Sequence, residues 1–182
     1  YANSKSLDTS TYDLYGADTD WFDEMTRTGI SQNHSVSMSG GGSKSNYRAS
    51  FSYLDRNGIM RDNAMERYSF RFQFSQRAIN DRLKIGLTGS ATLTDNQVPN
   101  GDNFVLAYSM LPVYPVFNAD GTYFTKVNKE YDQGNPVQNQ DLNTMKNKMN
   151  YFYANGDVQF LLMEGLNVKA NLYKSRFNGE FS

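Results

Sequence analysis

Tyr68-Ser-Phe-Arg-Phe-Gln-Phe74 places an aromatic residue at every second position and sets Ser69, Arg71 and Gln73 between them. Successive side chains of an extended chain point to opposite sides, so Tyr68, Phe70, Phe72 and Phe74 share one surface and the polar residues share the other. A helix, with its period of 3.6, would scatter them. The stretch is therefore a strand with one apolar face and one wet face, and the fold turns on what lies against the apolar face: a second sheet, or lipid.

The same two-sided pattern recurs outward from this point. Before it, 32–39 sets His34, Val36 and Met38 against serines, and 46–54 sets Tyr47, Ala49, Phe51 and Tyr53 against Arg48, Ser50 and Ser52. After it, 83–94 opposes Leu83, Ile85, Leu87, Ala91 and Leu93 to Lys84, Thr88, Ser90, Thr92 and Thr94. Two further strands follow at 149–162 and 166–175. There Phe152, Val158, Phe160, Leu166 and Val168 oppose Tyr151, Asp157, Gln159, Asn167 and Lys169. Tyr53, Tyr68 and Phe160, near strand ends, suit an interfacial aromatic girdle as well as ordinary strand packing.

The connections discriminate more sharply than the strands. Those at 40–45, 80–82 and 164–165 are short and turn-like, whereas 55–66 is longer and 96–148 far longer. Short and long alternate, so an up-and-down meander puts every tight turn at one end and every long loop at the other. Membrane barrels have that asymmetry, and a Greek-key sandwich gives no reason for it. Strands near ten residues also suit a tilted crossing of the hydrocarbon layer. The fold class expected is all-β: an antiparallel meander forming part of a transmembrane β-barrel. The long loop at 96–148 should hold a short helix begun by Asp102, with Phe104, Tyr108 and Leu111 on one face, and a small hairpin over 114–124 turning at Asn118-Ala-Asp-Gly121.

Before the first strand, 1–19 is rich in Ser, Thr, Asp and Tyr without hydrophobic period and reads as linker or surface coil. Asp20 then caps a short helix carrying Trp21, Phe22 and Met25. The chain opens at Tyr1 and reads as processed or as an excerpt of something longer.

Composition removes several function classes. The formal charge is −1, from 18 Lys plus Arg against 19 Asp plus Glu, and no basic run tracks a phosphate backbone, so nucleic acid is not an expected partner. Cysteine is absent and His34 is the one histidine, which leaves no thiolate or imidazole metal set. No Gly-rich phosphate loop is present, and nothing brings two of the carboxylates Asp55, Glu66, Asp120 and Asp157 together, so neither an enzyme nor a cofactor is expected. A mean hydropathy of −0.67 and the lack of any long apolar run exclude a spanning helix but suit strands that alternate lipid-facing and lumen-facing residues.

Asp20-Trp21, Arg27-Thr28-Gly29 and Gln32-Asn33-His34-Ser-Val-Ser-Met-Ser-Gly40 resemble the lead-in to the barrel of the SusC/RagA group of TonB-dependent outer-membrane transporters. Tyr47-Arg-Ala-Ser-Phe-Ser-Tyr-Leu54, Asn57-Gly-Ile59 and Glu66-Arg-Tyr68 resemble that group's second and third strands. Leu111-Pro-Val-Tyr-Pro-Val-Phe117 with Asp120-Gly121 is similar to its first large external loop. The resemblance implies that 1–31 links a missing plug domain to the barrel and that 32–182 is the N-terminal part of the barrel. It also implies a place in the bacterial outer membrane and active uptake of a nutrient such as an oligosaccharide or peptide. The partners implied are the plug and remaining strands of the same chain, a SusD-like lipoprotein, the TonB system and membrane lipid.

Two groups of candidate site residues follow. Arg48, Arg71, Lys84, Asp157 and Lys169 lie on the polar faces of their strands and would meet the lumen or the plug. Phe104, Tyr108, Tyr114, Asp120 and Tyr123 lie in the long loop, where they can stack on a sugar or hold a peptide, or form the loop's own small core. A secreted or surface β-sandwich that binds carbohydrate or other cells is the alternative. It requires a second sheet over Phe70, Phe72 and Phe74.

Overall fold

The computed structural model describes residues 15–125 and 134–182, and the structural statements below concern those residues. The coil expected over 1–19 lies outside them up to residue 14. Six strands, β1 (Ser31–Gly41), β2 (Ser45–Asn57), β3 (Ala64–Ala78), β4 (Leu83–Pro99), β5 (Thr144–Met163) and β6 (Leu166–Phe181), form one meander sheet in chain order. Each strand runs past at least one of its expected ends: β3 spans Ala64–Ala78 rather than 68–74, β5 begins at Thr144 rather than near Met149, and β6 ends at Phe181 rather than near Ser175. The chain divides into two compact units, one of 28–98 with 145–182 and one of 15–27 with 99–144.

In the sheet unit the register sorts the side chains as the alternation requires. One face carries the rows Val36–Phe51–Phe70–Ala91 and His34–Tyr53–Tyr68–Leu93 as direct cross-strand partners. The other carries Ser37–Ser50–Arg71–Ser90 and Ser39–Arg48–Gln73–Thr88. A one-residue slip would exchange the two sets, so the difference in polarity between the two faces fixes the register. Among the described residues no second sheet covers the aromatic face: Phe70 is 48% exposed and Phe51 43%. The second sheet that the sandwich alternative requires is not present among the described residues. The tight turns at 42–44, 79–82 and 164–165 share one rim, and the other rim carries the connection 58–63 together with the end of β4 and the start of β5.

The apolar surface is a band that crosses the strands obliquely. On β2 it reaches as far towards the loop rim as Tyr53. On β6 it stops at Leu172, the partner of Gly156, which stands beside Leu87; Leu87 in turn is the partner of Phe74, and Phe74 of Tyr47. Between β2 and β6 the edge thus drops from the level of Tyr53 to that of Tyr47. With about 3.3 Å per residue and about 4.8 Å between strands, that slope is roughly 45°. Tilted barrel strands cross a flat hydrocarbon layer at about this angle. Beyond the band the same face turns polar: Gln32, Asp55, Glu66 and Asp95 form the next row, and Lys174 and Arg176 follow Leu172 on β6.

The other unit packs three short helices, α1 (Trp21–Met25), α2 (Asp102–Ser109) and α3 (Pro136–Leu142). Trp21, Met25, Ala107, Val116, Phe124 and Val137 are its buried apolar residues. Asp20 caps α1, its carboxylate accepting from the Phe22 and Asp23 amides. Two details of the expected loop helix change. Gly101 holds the cap position and the Asn100 side chain accepts from the Asp102 amide, so Asp102 is the first residue inside the helix. The buried face of α2 is Asn103 and Ala107, whereas Tyr108 and Leu111 are exposed. The small residue lets α2 approach its neighbours closely, and the larger side chains are turned away. Helix α3 was not foreseen. The hairpin is present, with Phe117 bridged to Tyr123 and the turn closed from the Gly121 amide to the Asn118 carbonyl at 3.0 Å.

Candidate functional site

The polar face of the sheet carries a groove of about 1000 Å³ at the tight-turn rim. Lys44, Arg48, Arg77 and Lys84 line it with one carboxylate, Asp157. Alternation puts each of these side chains on the same face, and antiparallel pairing brings strands distant in sequence together: Lys84 is the direct partner of Arg77, and Arg48 of Gln73. Asp157 lies across Gly86 on the neighbouring strand, where a β-carbon would overlap its carboxylate. Four cations around one anion give a groove with an excess of positive charge, which attracts carboxylates of a solute or of another protein segment. Arg71 lies on this face nearer the loop rim, and Lys169 flanks the groove as the partner of Gln159. Of the five strand candidates, Arg48, Lys84 and Asp157 are therefore brought together, with Arg71 and Lys169 on the same surface. Lys44 and Arg77, at turn and strand end, join them without having been singled out; their place at the ends of alternating strands was the available signal.

The same face gains aromatic character towards the loop rim of β5 and β6. Tyr151 pairs directly with Phe177, and Tyr173 and Phe181 follow the same parity. The polar-to-apolar order of β6 thus inverts along its length, which places Lys174 and Arg176 on the outer face and the rings on the inner one.

In the helical unit the five loop candidates are distributed through the packing. Tyr114 stacks on Phe124 at 5.7 Å, and both meet the Tyr15 ring edge-on. Phe104 stacks on Phe22 at 6.0 Å. Tyr123 tilts against Phe117, and its hydroxyl donates to Asp141 Oδ2 at 2.6 Å. Asp120 Oδ1 accepts from the Thr122 hydroxyl at 2.6 Å and from the Thr122 amide at 3.0 Å, and these bonds to Thr122 hold its carboxyl below the usual carboxylate range. Tyr108 is the one aromatic of the five that is exposed, at 82%, beside a surface groove of about 500 Å³ that Asp18, Asp20 and Trp21 also line.

Asn135 is the residue whose importance sequence reasoning missed. It is 2% exposed and makes four hydrogen bonds: its Nδ2 donates to the Val116 and Phe124 carbonyls, and its Oδ1 accepts from the Val137 and Gln138 amides. One side chain so caps α3 and ties it to both arms of the hairpin. The Asn135-Pro136 pair, a capping residue followed by proline at the first helical position, was the signal that could have revealed it. Among the described residues no group of His, Cys, Asp and Glu is arranged to hold a metal ion.

No family model matches the chain. Curated relatives do. TonB-dependent receptor P26 of Formosa agariphila is 32% identical over 160 residues, covering 84% of this chain and 15% of the relative. TonB-dependent receptor SusC of Bacteroides thetaiotaomicron is 28% identical over 181 residues, covering 88% of this chain and 18% of the relative. The chain spans less than a fifth of the length of these curated relatives. Among solved structures, the RagAB peptide importer in its closed-closed state superposes with a TM-score of 0.69 at 24% identity, over 89% of this chain and 19% of that one. That likeness is one of fold.

Proposed function

We propose, from the premise that the chain is a homologue of the TonB-dependent receptors of the SusC kind over most of its length, that it forms one arc of an outer-membrane importer for oligosaccharides or peptides. The sheet is a stretch of transmembrane barrel wall, and receptors of this kind are outer-membrane proteins. The observation that carries the reading is the uncovered oblique apolar band backed by a polar face, with every tight turn on one rim. The remaining strands and a plug in the same protein would close the edges left by β1 and β6. Arg48, Lys84 and Asp157 then face the plug, and the loop unit stands outside the cell. Tyr108 there is the ring placed to meet a solute or a SusD-like lipoprotein. Relatives named as receptors and importers give no support to catalysis.

The test is deletion of the complete gene in its own bacterium, followed by growth on oligosaccharides or on oligopeptides as the limiting nutrient. Loss of growth on one class, reproduced by a protonophore in the parent strain, supports import and identifies the class. Unchanged growth and uptake on both would overturn the transport reading.

A further inference from the structure

We infer that the half of the inner face nearer the loop rim holds the acid groups of an oligosaccharide built of uronic acids, an inference that rests on the import reading above and names its solute. Arg56, Arg67 and Arg71 stand there by parity, as the cross-strand partners of Met65, Leu54 and Ser50. No carboxylate of the six strands shares that half of the face. Asp55, Glu66, Asp95 and Glu180 fall on the outer face, and Asp157 lies towards the tight turns. Among the described residues none of the three guanidiniums has a carboxylate partner. Arg56 Nη2 and Arg67 Nη2 both lie against the Met65 sulfur, at 3.9 Å and 3.6 Å, and Arg67 Nε is buried with no hydrogen-bond partner. A thioether is a weak acceptor, so these charges stay unanswered within the wall itself.

The neighbouring strands select the sugar. Asp157 beside Gly86 and Lys148 beside Asp95 align β5 with β4, which puts Tyr153 opposite Ser90 and Tyr151 opposite Thr92. Arg71, Ser90 and Tyr153 therefore lie in one row, and Ser69, Thr92, Tyr151 and Phe177 in the next. Between the two banks the inner face of β4 carries only Gly86, Thr88, Ser90, Thr92 and Thr94. It is the floor of a trough about 10 Å wide, with guanidiniums on one side and rings on the other. A pyranose has hydroxyls at its edge, which exchange hydrogen bonds with Ser90 and Thr92, and apolar faces, which lie against Tyr151 and Tyr153. Its carboxylate then meets Arg71 in a bidentate pair. Arg67 and Arg71 are about 13 Å apart along β3, a span that suits repeated charges on a chain and not one small anion. An acidic peptide fits less well, because the hydroxyl floor has no apolar recess for its other side chains.

The experiment uses the complete protein in non-ionic detergent, with titration calorimetry and four probes: oligogalacturonate, oligoguluronate, fully methyl-esterified oligogalacturonate and oligoglutamate. At least one uronide should bind about tenfold more tightly than the ester or the peptide. Raising the ionic strength from about 0.01 M to about 1 M shortens the screening length from about 30 Å to about 3 Å, and should remove most of the advantage over the ester. Arg67→Gln with Arg71→Gln should weaken uronide binding about tenfold, as should Tyr151→Ala with Tyr153→Ala, while Lys174→Gln on the outer face leaves it intact. Heat-modifiable mobility on gels reports that each variant is folded, and the salt series on the parent protein needs no variant. Binding of the ester or of oligoglutamate as tight as that of both uronides, a uronide preference indifferent to salt, or unchanged uronide affinity in either folded double variant would each overturn the inference. Uptake of neither oligosaccharides nor oligopeptides through the protein in its own bacterium would instead overturn the import reading on which it rests.

Discussion

The Asp157 carboxylate on β5 fills the space over Gly86 on β4 in which a β-carbon would stand. This close approach seats the one anion of the polar groove among Lys44, Arg48, Arg77 and Lys84. Gly86→Ala pushes against the far end of a short side chain, which can swing aside. The expected cost is below about 1 kcal/mol, with the larger Gly86→Val costing about 1–3 kcal/mol. Asp157→Ala should abolish most of the difference between the two, since it empties the contested space. Denaturant titration of the complete protein in detergent micelles checks this, and a Gly86→Val penalty that persists in the Asp157→Ala background would place the constraint elsewhere.

Phe72 and Gln73 are adjacent in β3 and face opposite ways: Phe72 pairs with Ala49 and Gly89 within the apolar band, Gln73 with Arg48 and Thr88. Phe72→Arg puts a guanidinium among acyl chains and should cost about 2–4 kcal/mol of folding free energy in lipid vesicles. Gln73→Arg, one residue away on the wet face, should change it by less than about 1 kcal/mol. Comparable penalties at the two positions would contradict a lipid-facing band.

Ile79 in the β3–β4 turn has φ of 52°, in the left-handed region, followed by Asn80 at 50° and Asp81 at 65°. Asn and Asp tolerate that conformation, and a β-branched side chain does not. Ile79→Asn should therefore stabilise the protein by about 1 kcal/mol, because it relieves a steric conflict at an exposed position without removing packing. A higher denaturation midpoint at unchanged cooperativity is the expected reading; a lower one would show that Ile79 is held there by apolar contact with membrane.

Asp120 titrates below the ordinary carboxylate range because Thr122 donates to it twice. A depressed folded-state value means that the turn's contribution to stability is fully present above the unfolded carboxylate pKa and is lost as pH falls through the folded one. Thr122→Val removes the hydroxyl, the larger cause, and should move the Asp120 titration upward toward its ordinary value in a carbon-detected NMR experiment. An unmoved midpoint would assign the shift to the Thr122 amide alone.

How far the sequence could be read depended on where chemistry alternates along the chain. Within the band, residues such as Phe70 and Arg71 announce both strand and face. Towards the loop rim, Lys146, Lys148 and Asn150 of β5 are polar on the outer face while Tyr151 and Phe177 are aromatic on the inner one. The period of two fades or inverts there although backbone pairing continues, so the strands ran longer than expected. The loop was less legible still. Its helices are short and cohere through single side chains, and a face chosen by size, Phe104 with Tyr108 and Leu111, lost to one chosen by close approach, Asn103 with Ala107. The candidates on the sheet needed only parity to be placed. Those in the loop needed contacts between residues far apart in sequence, such as Trp21 Nε1 donating to the Leu111 carbonyl at 3.1 Å.

Asn135 offers the sharpest test of how the loop holds together. Its amide donates at 2.8 Å and 3.1 Å to the carbonyls of Val116 and Phe124, and its oxygen takes the first free amides of α3. Asn135→Ala leaves two buried carbonyls and two helix amides without these partners, and should cost the loop unit about 2–4 kcal/mol. Asn135→Asp keeps the cap but turns both donors into acceptors facing carbonyl oxygens, so it should destabilise at neutral pH and recover in part when acid restores a donor. Hydrogen exchange of the loop amides in the complete protein separates the two: protection should fall throughout 114–124 and 136–142 in both variants, and return at low pH in Asn135→Asp alone. Loss confined to α3 would mean that the cap matters and the tie to the hairpin does not.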